Sequence, residues 1–311
     1  MIACMADVVI MTEKSELFMT APFTADDKTA GAGTAENAAK SGVAAILAKD
    51  SDEAIAKAKQ LLSVLPANNL ETAGNDYYME NDAAVSADLK GIELISSVAD
   101  KESVIELYKQ FGTSAVTAIG SLNWRTAGFV ATNNGAKLTA DDSAKIARFV
   151  TLCDAYSIPV VTFVDSEGFE KSSAAELAGS IRDSAKLAQA YASATTAKIA
   201  VVTGKAYGSA YVALASTAAG SDFTFAWEGA VIAPTTPEAA VVFLNGVSED
   251  NAKQAQEYAD NEADAFTAAA NGYVDRVITA EDTKSALTSA IEATASKRVV
   301  TPAKKHVNFV Y

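Results

Sequence analysis

Two short stretches hold the most promising chemistry in this chain, and in both the useful groups are backbone amides. One is Gly204-Lys205-Ala206-Tyr207-Gly208-Ser209-Ala210-Tyr211, and the other is Asp165-Ser166-Glu167-Gly168-Phe169. A strand that ends in small residues and turns straight into a helix leaves the first helical N–H groups unpaired. Such groups can cradle an oxyanion, and the helix dipole adds to the effect. Gly208, Ser209 and Ala210 would open such a helix, with Gly168 and Phe169 in a second candidate loop one strand away. Spacing alone leaves another reading open, in which the small residues only let helix and sheet pack closely.

Side-chain chemistry is thin. The single histidine, His306, lies five residues from the end of the given sequence. A Ser-His-Asp triad, a His-x-x-x-His metal pair or a Cys-His dyad would need that tail folded into a site. No Gly-x-Ser-x-Gly elbow and no Gly-x4-Gly-Lys-Ser/Thr loop occurs. Gly31-x-Gly33 lacks the third glycine of a dinucleotide loop. The acid pairs Asp26-Asp27 and Asp141-Asp142 lie in loops or at helix starts, where solvation and capping account for them. Cys4 and Cys153 are too few for a disulfide framework or a structural zinc site, so no metal is expected.

Positioning these loops requires an α/β framework. The early chain reads as two strands, a loop around Gly31-Ala32-Gly33, a strand at Val43–Leu47 and a helix from Asp52 to Leu65 ended by Pro66. Turn formers and acids dominate 67–90. A helix is expected over Ser103–Phe111, then an alternating pair, Ala115–Leu122 and Ala127–Thr132, that reads as a hairpin. Thr139 caps a helix through Tyr156. Strand Val160–Val164, a helix over Ser173–Ala194, strand Ile199–Val202, a tight loop over Gly204–Tyr211 and a short helix over Tyr211–Ser216 imply a parallel sheet. Ligands then sit at the carboxyl ends of its strands.

The chain also repeats itself. Ala6-Asp7-Val8-Val9-Ile10, then Glu16 to Pro22, then Gly42 to Leu47 follows the order of Ser221-Asp222-Phe223-Thr224-Phe225, then Gly229 to Pro234, then Gly272 to Ile278. Gly208 precedes Asp222 by 14 residues, and the same interval before Asp7 falls upstream of Met1. The expectation is a duplicated domain whose first copy begins partway through. The boundaries that follow are 1–70 for the first domain, 71–101 for a linker and 102–311 for the second.

Net charge is −14, the wrong sign for a nucleic-acid partner. Its one basic concentration is Lys297, Arg298, Lys304, Lys305 and His306. No apolar run reaches the roughly 18 residues of a membrane span, and the opening residues lack a signal-peptide pattern. A cytoplasmic location is the simplest expectation.

Longer motifs narrow the choice. Arg148-Phe149-Val150-x-x-Cys153-Asp154-Ala155-x-x-Ile158-Pro159, then Val164-Asp165-x-x-Gly168-Phe169, resembles the carboxyltransferase subunits of biotin-dependent acyl-CoA carboxylases and decarboxylases. Lys205-Ala206-Tyr207-Gly208-x-Ala210-Tyr211, Gly272-Tyr273-Val274-Asp275 and Lys304-Lys305-His306-x-Asn308 match as well. The resemblance implies two crotonase-like domains of repeated ββα units, the first incomplete here. It implies carboxyl transfer between carboxybiotin and an acyl-CoA such as propionyl- or methylmalonyl-CoA. Biotin would arrive on a separate carrier protein, alongside biotin carboxylase or decarboxylase subunits, in a homo-oligomer. The resemblance assigns Gly208, Ser209, Ala210, Gly168 and Phe169 to the biotin half-site and Val212 and Tyr207 to the substrate pocket. The loop for the acyl-CoA thioester is expected upstream of Met1.

Departures from the family pattern are Ser209 for a second glycine, Val212 for a common Asp, and Glu167 for a usual Pro. Two alternatives stand beside this reading. One is a crotonase-type hydratase or isomerase without biotin, and the other is a non-catalytic assembly subunit.

Overall fold

The computed structural model describes residues 1–21, 31–68, 71, 79–132 and 137–300. Expectations for Pro22, Asp26-Asp27, Asn69, Gly74-Asn75-Asp76, Lys304, Lys305, His306 and Asn308 lie outside the described residues.

After a short 3-10 turn at Ile2–Met5 comes strand β1 (Ile10–Thr12). Helix α1 (Ala35–Lys40) was not legible in the sequence; its start is capped by Thr34 Oγ1, which accepts from Asn37 N–H at 3.3 Å. Strand β2 (Ile46–Ala48) pairs in parallel with β1, Ile10 opposite Ile46. Helix α2 (Ser51–Val64) starts where the Asp50 carboxylate accepts from Glu53 N–H at 3.0 Å, and it buries Leu61 and Val64. The strand expected from Glu16 reduces, among the described residues, to one antiparallel bridge between Glu16 and Thr34.

The stretch read as linker contains helix α3 (Gly91–Val98), and the helix expected over Ser103–Phe111 is instead strand β3 (Ile105–Leu107). Apolar residues at Val104, Ile105, Leu107, Tyr108 and Phe111 fit a helical period. Pairing decides otherwise: Ile105 faces Ile119 across an antiparallel ladder, and Tyr108 N–H reaches Ala45 O at 2.8 Å. Strands β4 (Ala115–Leu122) and β5 (Arg125–Thr132) form the expected hairpin. At its tip Asn123 and Trp124 take φ of 49° and 62°, and both N–H groups donate to the Asp100 carboxylate at 2.9 and 2.8 Å.

Helix α4 (Ala140–Ala155) has a full capping box between Thr139 and Asp142. Strand β6 (Val160–Ser166) precedes α5 (Ser173–Ala178) and α6 (Ser180–Ser193), so the single helix expected there is broken at Gly179. Strand β7 (Lys198–Tyr207) runs straight through the stretch read as a loop from Gly204, and helix α7 (Gly208–Leu214) follows without a connecting residue. Then come β8 (Phe223–Trp227), β9 (Val231–Ala233), α8 (Pro237–Asn245), α9 (Asn251–Asn261), α10 (Ala265–Ala270), β10 (Arg276–Ile278) and α11 (Thr283–Thr294).

The larger sheet runs β10-β8-β7-β6-β5-β4-β3, with β9 paired to the far end of β7. It is parallel from β5 through β10 and antiparallel across β3, β4 and β5. Both faces are covered. Along β5, Val130 points into a core with Phe149 and Ile146 of α4, while its neighbours Phe129 and Ala131 point to Ile95 of α3 and Leu287 of α11. Alternation along each strand divides the apolar residues between two helical layers. Among the described residues no helix is long and apolar enough to cross a membrane.

Candidate functional site

Strands β6 and β7 end side by side, with Ser166 opposite Ala206 after a register shift beyond Val164. The two candidate loops therefore leave the sheet as neighbours. On the β6 side, Gly168 N–H donates to Ser166 Oγ at 3.2 Å, and Gly168 O accepts from Leu138 N–H at 2.9 Å. Glu170 N–H closes the bridge onto Leu138 O at 2.9 Å. Phe169, half-buried, packs its ring onto the main core. Gly168 thus has its N–H engaged within its own loop.

On the β7 side the chain enters α7 at Gly208 with φ +57°, a left-handed conformation in which a side chain is strained. A Cβ there would also lie 3.1 Å from Pro234 O, just beyond β9. Glycine lets the strand turn into the helix in one residue. The N-cap, Tyr207, offers the first turn no side-chain hydrogen bond, and that turn carries no acid. Ser209 is exposed at the helix opening and Val212 is 51% exposed one turn on. Ala210 is fully buried, and its methyl side chain has no chemistry to offer.

Tyr207 was assigned to the substrate pocket. Its side chain is buried with Ala233 and Ala263, and burial raises its pKa. Its carbonyl oxygen faces the neighbouring loop, 3.8 Å from where a Gly168 Cβ would be. Tyr211 anchors the outer side of α7, its hydroxyl donating to Tyr273 O at 2.7 Å; burial pushes its pKa up to about 12.

Charged groups tie the loops together, a feature the motifs did not reveal. Lys205 Nζ lies 2.7 Å from Glu167 Oε1. The hydrogen bond from Lys205 holds the Glu167 carboxyl below its ordinary pKa, and the same bond raises that of Lys205. Asp165 Oδ1 accepts from Lys205 N–H at 3.0 Å, and a Cβ at Gly204 would meet that oxygen at 2.5 Å. The glycine that suggested a loop is there because a carboxylate occupies the place of its side chain. Among the described residues no three His, Cys, Asp or Glu side chains are placed to hold a metal ion.

The family model for the carboxyl transferase domain matches residues 2–309. The chain belongs to the carboxyl transferase domain family. The methylmalonyl-CoA carboxyltransferase 12S subunit of Propionibacterium freudenreichii subsp. shermanii is 36% identical, over 98% of this chain and 64% of that relative. The methylmalonyl-CoA decarboxylase subunit alpha of Veillonella parvula is 33% identical over the same shares. A crystal structure of transcarboxylase 12S, described as a hexamer with methylmalonyl-coenzyme A and methylmalonic acid bound, superposes with a TM-score of 0.89 at 35% identity. That match covers 99% of this chain and 65% of the other. This family member therefore has the crotonase-like α/β fold, and it spans about 64% of the length of the curated relatives it matches.

Proposed function

We propose that this chain is a carboxyltransferase component that moves a carboxyl group between biotin and an acyl-CoA, of which propionyl- or methylmalonyl-CoA is the first to test. The observation that carries the reading is the opening of α7. Strand β7 passes into helix at Gly208 with no side-chain cap and no acid in the first turn, and Ser209 stands exposed there. Such an opening suits a neutral acceptor that gains negative charge, as the ureido oxygen of biotin does.

Biotin would supply the carrier for the carboxyl group. Ser209 and Ala210 would direct their N–H groups at its ureido oxygen and stabilise charge developing there, an effect each donor can contribute without a titrating side chain. Gly168 and Phe169 would wall the cleft and limit water. Val212, exposed one turn beyond Ser209, would meet the substrate from the same helix face. The Glu167–Lys205 pair would neutralise itself at the mouth, leaving no bare carboxylate to repel an anionic substrate.

Biotin is expected on a separate carrier chain, with biotin carboxylase or decarboxylase subunits as further partners and further copies of this chain in the assembly. The cytoplasm is the compartment proposed. The unit boundaries proposed remain 1–70, 71–101 and 102–311, with the span 71–101 docking its helix α3 onto the large sheet through Leu94, Ile95 and Val98.

The test, run on the full-length protein because turnover by residues 1–311 alone is expected to be weak or absent, is loss of label from carboxyl-labelled methylmalonyl-CoA, with and without free biotin. Biotin-dependent loss supports the reading. Biotin-independent hydration of an enoyl-CoA by the same protein would replace it with the hydratase alternative.

A further inference from the structure

A cavity of about 430 Å³ opens at the amino ends of β5, β6 and β7, lined by Thr126, Pro159 and Ala197 where those strands begin. The proposed biotin site lies at the carboxyl ends of β6 and β7. At about 3.3 Å per residue, the ten residues of β7 separate the two places by roughly 30 Å. The cavity has no part in the chemistry argued above.

Its charge is unusual for this protein. In a chain of net charge −14, three cations (Arg125, Lys297 and Arg298) line one cavity, against the single carboxylate of Glu71. Lys297 is engaged, its Nζ lying 2.8 Å from Asp222 Oδ2 and 3.0 Å from Thr196 O. The two guanidiniums differ. Among the described residues neither Arg125 nor Arg298 forms an ion pair. Arg125 rests over the Trp124 ring at 5.3 Å, a cation–π contact that leaves its N–H donors without a carboxylate partner. Arg298 is exposed, with one N–H donated to Lys297 O at 2.7 Å.

The rest of the lining mixes apolar residues, Ile291, Ala295 and Val299 among them, with hydroxyls. Thr195, Thr196 and Thr294 each donate their proton to the protein: Thr195 to Asp154 Oδ1 at 3.1 Å, Thr196 to Ile158 O and Thr294 to Ala290 O, both at 2.8 Å. A hydroxyl whose proton is committed offers only lone pairs, so it suits a ligand that donates. Two unpaired guanidiniums suit a dianion better than a single carboxylate, since their forked donors match phosphate oxygens. The volume lies within the range of sites for small metabolites.

We propose that this cavity binds a small phosphorylated, hydroxyl-bearing metabolite, its phosphate between Arg125 and Arg298 and its hydroxyls against the threonines. The site is separate from carboxyl transfer, and its failure would leave that function untouched. Arg298, one of the basic residues that the proposed catalytic role does not use, would have a role here.

The experiment titrates the full chain with AMP, glucose 6-phosphate and inorganic phosphate at matched ionic strength, read by calorimetry and by Trp124 fluorescence. Saturable binding of either ester, tighter than inorganic phosphate, is the expected result; the tighter ester distinguishes a nucleotide from a sugar phosphate. Arg125→Gln and Arg298→Gln should each weaken it roughly tenfold or more, the cost of losing a charge-assisted hydrogen bond. Glu71→Gln should tighten it. Arg298 is exposed and Arg125 lies over a half-exposed indole, so unchanged melting temperatures are expected for both variants. The proposal is overturned if no probe binds, if inorganic phosphate binds as tightly as both esters, or if binding survives both arginine substitutions.

Discussion

Gly42 and Gly272 occupy the same place in two copies of one motif. Each follows a six-residue helix, α1 or α10, with φ of +74° and +78°. The residue after each sends its N–H back to a helix carbonyl: Val43 to Ala38 O at 2.8 Å, and Tyr273 to Ala268 O at 2.9 Å. The strands that follow pair in parallel with the strands that began each copy, β2 on β1 and β10 on β8. Even the bridge before each helix recurs, Glu16 with Thr34 and Val231 with Asp264.

The two glycines nevertheless differ in their surroundings. A Cβ on Gly42 would lie 2.8 Å from the Phe111 ring, whereas one on Gly272 meets nothing within 4 Å. Gly272→Ala should therefore cost only the left-handed strain, about 1–2 kcal/mol. Gly42→Ala should cost about 1–3 kcal/mol more, because a ring must move as well. Urea unfolding of both variants reads the difference directly, and equal losses would contradict the account.

Ser209 tests the helix opening. Ser209→Gly keeps the donor and should leave biotin-dependent activity near that of the parent. Ser209→Pro removes one N–H from the first turn, where proline is tolerated structurally. It should slow the biotin half-reaction by about 2–4 kcal/mol in barrier, as for removal of an oxyanion donor. A folded Ser209→Pro protein with its full rate would make this turn a packing element only.

Lys145 should give stability an alkaline signature. It is 2% exposed, with Nζ donating to Ala115 O at 2.7 Å and Gly112 O at 3.3 Å, and burial pushes its pKa down to about 8. Above that value the folded state releases a proton that the unfolded chain still holds, up to the ordinary lysine range near 10.5. Stability contributed at this residue therefore rises with pH from about 8 upward, and the penalty is fully present below it. Comparing urea midpoints of the parent and Lys145→Met between pH 7 and about 10 should show a rising trend that the variant lacks.

The Glu167–Lys205 pair is half-exposed, so its worth to folding is small, under about 1 kcal/mol. The lowered Glu167 pKa means that this contribution is present above the ordinary carboxylate pKa and fades as pH falls through the folded value. A double-mutant cycle with Glu167→Gln and Lys205→Met should return a coupling of about 0.2–1 kcal/mol, lost on acidification.

Assembly should depend on α8. Phe243 is 89% exposed, and Leu244 beside it is also exposed; Val247 lies two residues beyond the helix and is 89% exposed. Apolar surface grouped in this way marks an interface. Sedimentation should show a dimer or larger, and Phe243→Asp should shift it toward monomer without lowering helicity.

Local signals determined a large part of this protein. The Thr139 cap, the hairpin of β4 and β5, and the presence of a short helix beyond Gly208 were legible because their causes lie within a few residues of one another. The repeat was legible too, since both copies keep the same order of small residue, Asp, strand and glycine. Elsewhere distant partners decided. Val104 to Phe111 has a helical period, yet β4 and Ala45 draw Ile105–Leu107 into a sheet. Gly204 reads as a loop until Asp165 is seen filling the space of its side chain while β6 and β9 flank the rest of β7. Helix α3 starts at Gly91 with no side-chain cap, so its order comes from burying Leu94, Ile95 and Val98 against the sheet. The Glu167–Lys205 pair was invisible for the same reason: its residues are 38 apart, and only the adjacency of β6 and β7 brings them within 2.7 Å.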